Sequence, residues 1–257
     1  MSAPSQHIQF AEPLPLRMAW SALNTLQLLF TLVWTAACIT LALGVRLLAR
    51  DARVPLRMAA WLWAPALLRG AGAKVVVEGT GRVDWSRPYV LVATHASVID
   101  ICALFLATPV PLRFMLKHEM TRVPFVGRYA KATGMCFIER DGNRASMVQS
   151  LRAATAIVKA GHALCIFPEG TRNREGVVAP FKPGAFQVAL AAGVQVVPVA
   201  MSGSGEILPP HGFRVRPGTI RVSFGAPIDV PPGPPAQVRD RLALQAREAV
   251  VAMMDPA

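Results

Sequence analysis

Tyr89-Val90-Leu91-Val92-Ala93-Thr94-His95-Ala96-Ser97-Val98-Ile99-Asp100 is the stretch that decides the fold. Tyr89 to Ala93 is a short apolar run suited to a buried strand. Val98 to Ala107 reads VIDICALFLA, apolar on every side, and Pro109 ends it. A buried strand therefore turns directly into a buried helix, and Asp100 is the one charge in the helical run. A carboxylate removed from water is costly unless something pairs with it, and the nearest candidate is His95. On one regular helix, five positions make about 500° of rotation, so the two side chains would diverge. They converge if His95 lies on the turn and Asp100 in the first helical turn. Ser97 is a good N-cap for such a helix, with Asp100 three residues later. Two readings follow. An imidazole oriented by a carboxylate is a general base; alternatively, Ser97-x-x-Asp100 is a capping box and His95 a loop residue.

Outward from this stretch, strand and helix signals alternate. Lys74–Val77, Arg113–Lys117, Met135–Glu139, Ala163–Phe167, Val194–Ala200 and Thr219–Phe224 read as strands. Ala145–Ala160 is amphipathic, with Met147, Leu151, Ala154 and Val158 at helical spacing, and Gly161 closes it. Pro183–Ala192 is a short helix stopped by Gly193, Pro227–Pro235 a linker, and Ala236–Met254 a C-terminal helix. The expected architecture is α/β: a mostly buried mixed sheet flanked by helices, with an N-terminal two-helix membrane anchor.

The anchor rests on two segments. Leu26–Val45 holds 20 residues without a charge, long enough to cross a hydrocarbon core of about 30 Å. Arg46, Arg50, Arg53 and Arg57 follow it and only Arg17 closely precedes it, which places the C-terminal side in the cytoplasm. Val54–Arg69 combines Trp61 and Trp63 with flanking arginines, the composition of an interfacial helix, and Pro65 should kink it. Residues 1–70 are thus expected to anchor, by spanning or by dipping into one leaflet, and residues 71–257 to form the catalytic domain. The expected location is the cytoplasmic (inner) membrane, with that domain facing the cytoplasm.

The 257 residues carry a formal net charge of +12 with 53% hydrophobic residues. A basic, apolar chain favours an anionic membrane surface or a phosphorylated substrate. No basic run interleaved with aromatics points to nucleic acid. Cys38, Cys102, Cys136 and Cys165 fit no zinc spacing and read as buried reduced thiols.

A second constellation is Cys165-Ile166-Phe167-Pro168-Glu169-Gly170-Thr171-Arg172-Asn173-Arg174. A strand runs into a turn carrying a flexible glycine, a hydroxyl and guanidinium groups, a set suited to a phosphate. Glu169 is out of place in an anion site; it either holds Arg172 or accepts hydrogen bonds from substrate hydroxyls. The alternative is an ordinary turn with a surface ion pair.

With these motifs in order, the chain resembles the glycerolipid acyltransferase family. His95-x4-Asp100 matches its first motif, Gly134 to Arg140 its second, Phe167-Pro168-Glu169-Gly170-Thr171-Arg172 its third and Val197-Pro198-Val199-Ala200 its fourth. Phe181 to Phe186 also looks like the family. Three positions depart from it: Thr94 stands where Asn is usual, Glu139 where Asp is common, and Asn173 where Ser is common.

The resemblance implies acyl transfer from a thioester of coenzyme A or acyl carrier protein to the free hydroxyl of a lysophospholipid, lysophosphatidate foremost. His95 is then the base and Asp100 its orienting acid. Glu169, Gly170, Thr171 and Arg172 hold the glycerol phosphate, Arg140 stands near them, and Lys117 adds charge. No metal and no resident cofactor are expected. Other acceptors known to relatives, phosphate-free lyso-aminolipids among them, stay open. A lipid esterase would need an activated serine, and Ser202-Gly203-Ser204-Gly205 does not meet the G-x-S-x-G spacing of a nucleophile elbow. A non-catalytic lipid-binding scaffold would keep the anchor without needing the His95–Asp100 pair.

Overall fold

A computed structural model describes residues 14–139, 144–173, 177–210 and 212–254. Arg140, singled out above, lies outside them. The chain begins with a long helix α1 (Leu14–Ala49), followed by α2 (Arg53–Met58), a π-helical turn (Ala59–Trp63) and α3 (Ala64–Gly70). Then come β1 (Ala73–Glu78), β2 (Val90–Ala93), α4 (Asp100–Ala107), β3 (Leu112–Lys117), α5 (Val126–Ala132), β4 (Cys136–Ile138), α6 (Arg144–Lys159) and β5 (Ala163–Ile166). The last part holds α7 (Gly184–Ala192), β6 (Val196–Ser202), a single turn α8 (Ser204–Ile207), β7 (Gly218–Phe224) and α9 (Pro235–Met254).

The seven strands form one mixed sheet in the order β1-β7-β6-β2-β5-β3-β4. The block β6-β2-β5-β3-β4 is parallel, β7 runs antiparallel to β6, and β1 is parallel to β7. β2 is central, and Val90, Leu91, Val92 and Ala93 are fully buried. Their side chains alternate between two cores, as the period of a strand demands. Leu91 and Ala93 join Leu56, Leu68, Leu104 and Phe105 from α2, α3 and α4. Val90 and Val92 join Val158, Phe186 and Leu242 from α6, α7 and α9. Each such aliphatic side chain contributes about 1.5–3 kcal/mol by burial. Burial on both faces is why these strands read as unbroken apolar runs.

Two expectations are modified. The predicted helix over 54–69 is broken by the π turn, where Ala64 N–H donates to Ala59 O, five residues back. The next residue, Pro65, has no N–H to continue the ladder, so the irregularity precedes it. The 227–235 linker is not free, because Ile228 bridges to Val196 at the start of β6.

α1 is longer than its apolar stretch and lies along the rest of the molecule. Asn24 Oδ1 accepts from Val215 N–H, Trp63 Nε1–H donates to Thr35 Oγ1, and Arg46 Nε–H donates to Ala132 O. Cys38, Ile39 and Ala42 are buried, while Leu26, Leu29, Leu32 and Val33 are exposed. Residues 17–49 are long and apolar enough to cross a membrane.

Candidate active site

β2 and β5 are parallel neighbours, so the turns after their carboxyl ends open on one edge of the sheet. His95 follows β2, and Phe167–Arg172 follows β5. That edge is where open α/β sheets bind ligands.

The first turn is built around Asp100, which is completely buried. Its Oδ2 accepts three N–H groups: His95 Nδ1–H at 2.9 Å, Ala96 N–H at 2.8 Å and Ser97 N–H at 2.8 Å. The two readings of this stretch are therefore one object. Asp100 reaches back to Ser97 N–H as in a capping box, and the same oxygen fixes the imidazole. Because Oδ2 already accepts from two backbone donors, the ring hydrogen sits on Nδ1. Nε2 is left as the acceptor nitrogen of a side chain that is 16% exposed. Ser97 departs from the simple cap: its hydroxyl donates to Leu208 O at 2.6 Å and fastens the turn to the segment after α8.

The imidazole also stacks on Phe167, with ring centroids 4.0 Å apart and planes 16° apart. Phe167 in turn faces Phe114. His95 is held in its backbone as well, since its N–H donates to Glu169 Oε1 and its carbonyl accepts from Asn173 N–H. Thr94 orients the strand end rather than the imidazole. Its hydroxyl accepts from Met201 N–H and donates to Met201 O on β6.

Glu169 enters no ion pair with Arg172 among the described residues. It is buried, and its second oxygen accepts from Ala179 N–H at 3.1 Å. Burial pushes its carboxyl above the usual value, and the hydrogen bonds from Ala179 and His95 oppose that. It is a brace between the two turns.

Gly170, Thr171 and Arg172 are brought to the same edge as His95. Gly170 has φ of +80°, where a side chain is strained, and an added Cβ would stand 2.7 Å from Lys182 Nζ. Thr171 and Arg172 are exposed, and Arg172 enters none of the ion pairs among the described residues. Lys117 ends β3 and pairs with Glu119 at 3.2 Å. Arg113, in β3, is buried, with Nε–H donating to Thr133 O. Lys182 is the residue that sequence reasoning missed. It stood in the quoted Phe181–Phe186 run, but only the fold brings its ammonium over Gly170.

Ser204 is fully buried in α8, out of reach for a nucleophile. The thiols of Cys102 and Cys165 are raised by burial first and by Asp100 second, that of Cys102 to about 12, so they stay protonated and inert.

An apolar cavity of about 310 Å³ lies between α1, the π turn and α4. Its wall includes Val98 and Ile99, which separate His95 from Asp100 in the chain, together with Cys38, Ala59, Cys102 and Phe114.

These features describe an α/β protein with a buried Asp–His pair and a cationic turn at the carboxyl edge of its sheet. The profile of the Acyltransferase family matches residues 74–202. A Chlamydomonas reinhardtii protein named 1-acyl-sn-glycerol-3-phosphate acyltransferase is 30% identical over 99% of this chain and 74% of its own length. The chloroplastic Arabidopsis thaliana protein of that name, LPAT1, is 33% identical over 71% of this chain and 49% of its own. The human protein 1-acyl-sn-glycerol-3-phosphate acyltransferase alpha is 29% identical over 61% of this chain and 56% of its own. Against the last two, the matched stretch spans about half the relative's length. The crystal structure of the 1-acyl-sn-glycerophosphate (LPA) acyltransferase PlsC from Thermotoga maritima superposes with a TM-score of 0.79 over 94% of this chain and 98% of that one. At 23% identity, this shows a shared fold. The chain belongs to the acyltransferase family.

Proposed function

We propose that the protein transfers a fatty acyl group from a thioester, acyl-CoA or acyl carrier protein, to the free hydroxyl of lysophosphatidate, with His95 as general base. The observation that carries this is the single Asp100 oxygen that holds both the helix start and His95 Nδ1–H, leaving Nε2 as a basic nitrogen at the strand edge. As the acceptor oxygen attacks the thioester carbonyl, its proton passes to Nε2, and Asp100 stabilises the imidazolium. The tetrahedral adduct collapses and the carbon–sulfur bond breaks. The departing thiolate takes the proton from Nε2, so the base is regenerated and no acyl-enzyme is required.

Gly170, Thr171, Arg172 and Lys182 would hold the acceptor phosphate, with Arg140 and Lys117 adding charge. The apolar cavity beside Val98 and Ile99 would hold the acyl chain. Residues 1–70 would form the membrane anchor and residues 71–257 the catalytic domain. Because both ends of α1 touch the same domain, α1 would lie in one leaflet, at the cytoplasmic face, rather than cross. The names of the relatives support lysophosphatidate as acceptor.

The test is a labelled acyl thioester mixed with vesicles containing lysophosphatidate. Phosphatidate should form, and His95→Ala should form it about 10²–10⁴-fold more slowly. Thioester or ester hydrolysis that ignores the acceptor, or a lyso-aminolipid preferred in a panel of acceptors, would overturn the assignment.

A further inference from the structure

β2 has two neighbours, and each leads to a cationic feature. On the β5 side stand Arg172 and Lys182. On the β6 side the chain passes through α8 into a segment described at 208–210 and 212–217. That segment is fastened at three points: Ser97 Oγ donates to Leu208 O, Arg216 N–H donates to Ile207 O, and Val215 N–H donates to Asn24 Oδ1. Asn24 is itself fixed, because its Nδ2 donates to Trp20 O within α1. Between α1 and this segment lies a cleft of about 750 Å³, lined by Arg17, Trp20, Arg214 and Arg216. Among the described residues no Asp or Glu lines it. None of the ion pairs among the described residues uses these arginines. Three like charges facing one cleft repel one another unless an anion joins them.

We infer that this cleft binds the phosphate groups of the acyl donor, a thioester whose carrier ends in a phosphorylated nucleotide such as coenzyme A. Its volume falls within the roughly 300–1,000 Å³ typical of small-molecule sites and exceeds what one phosphate fills. Guanidinium forks match phosphate oxygens, and the Trp20 indole offers a face for a base to stack on. Position adds the decisive point. Phe213 and Val215 line both this cleft and the apolar cavity, which sets a place for an anionic head beside a place for an apolar tail. Leu208, at the start of the segment, is bonded to Ser97, two residues beyond His95. The acceptor phosphate would then lie on the β5 side of the base and the donor phosphates on the β6 side.

The inference rests on the acyl-transfer reading. Its test is the double variant Arg214→Gln/Arg216→Gln, assayed with one acyl chain delivered on coenzyme A or on pantetheine, which has no nucleotide. The KM for the coenzyme A donor should rise about tenfold, equivalent to about 1.4 kcal/mol, at unchanged kcat. The KM values for the pantetheine donor and for lysophosphatidate should stay at the wild-type level, and calorimetry should show weakened binding of free coenzyme A. An unchanged coenzyme A KM, an equal rise for both donors, a rise for lysophosphatidate, or loss of vesicle association alone would overturn it. Failure of the acyl-transfer reading looks different: the wild-type protein then turns over neither donor, and the coenzyme A titration alone decides whether the cleft is a nucleotide site.

Discussion

The turn after β2 and the turn after β5 occupy the same edge of the sheet and are built in opposite ways. The β2 turn hides its charge: Asp100 is fully buried, and its Oδ2 is saturated by three N–H donors. The β5 turn hides an acid and exposes its cation. Glu169 is buried against two backbone N–H groups, while Thr171 and Arg172 face solvent. One turn is made rigid around an imidazole, and the other keeps an open cationic surface; under the proposed function these are the base and the acceptor site. Substitutions should separate along this line, with rate effects at the first turn and stability or affinity effects at the second.

The largest effects belong to the β2 turn. His95→Ala should lower kcat by about 10²–10⁴-fold while costing the fold little more than the Phe167 stacking, about 0.5–1.5 kcal/mol. Asp100→Asn should lower kcat by a comparable factor, because the amide offers N–H where the imidazole needs an acceptor. It should also destabilise by about 1–3 kcal/mol, since buried backbone donors lose part of their acceptor. Thermal melts beside single-turnover rates measure both. A stable, active Asp100→Asn would break the contrast.

At the β5 turn, Glu169→Ala should act on stability first. It leaves the N–H groups of His95 and Ala179 without their acceptor, at about 1–3 kcal/mol each, and the loss of turnover would follow from a loosened His95. Arg172→Ala removes an exposed group and should leave the unfolding free energy within about 0.5 kcal/mol of wild type. The KM for lysophosphatidate should rise about tenfold. If Arg172→Ala changes kcat and not KM, the division of labour between the turns is wrong.

Much of this was legible in the sequence. The apolar run before His95, the lone Asp100 in an apolar helix and the spacing of Ala154 and Val158 mark strand, buried His95–Asp100 pair and helix because burial leaves a trace in the sequence. The task of Glu169 left none. Two of its partners are backbone N–H groups, one of them 74 residues away, and a backbone donor carries no residue signature. The same holds for Thr94, whose hydroxyl is bonded 107 residues along the chain, and for Lys182, which reaches Gly170 only through the fold. The pairing of β1 with β7, and the reversal of β7 against β6, are likewise choices among strands that look alike when each is buried on both faces.

The smallest effect, and the one that tests the brace most directly, is a pH dependence. Burial holds the Glu169 carboxyl above its ordinary value. In the interval above that ordinary value, the folded protein keeps a proton that the unfolded chain has released, so stability falls as pH rises. The contribution is fully present below the unfolded pKa and is gone once pH has passed the raised folded one. Glu169→Gln carries no such proton, and the difference in melting temperature between wild type and variant should shift with pH only across that window. The comparison must be between the two proteins. His162 is depressed by burial and adds a slope of opposite sign below its own ordinary value. Asp84 and Glu119 are lowered by hydrogen bonds, to Ser86 in the first case and to its own backbone and Lys117 in the second. They act only at pH below the ordinary carboxylate range. If the wild-type and Glu169→Gln curves stay parallel through the window, the acid between the two turns is not held as its burial and its two N–H partners require.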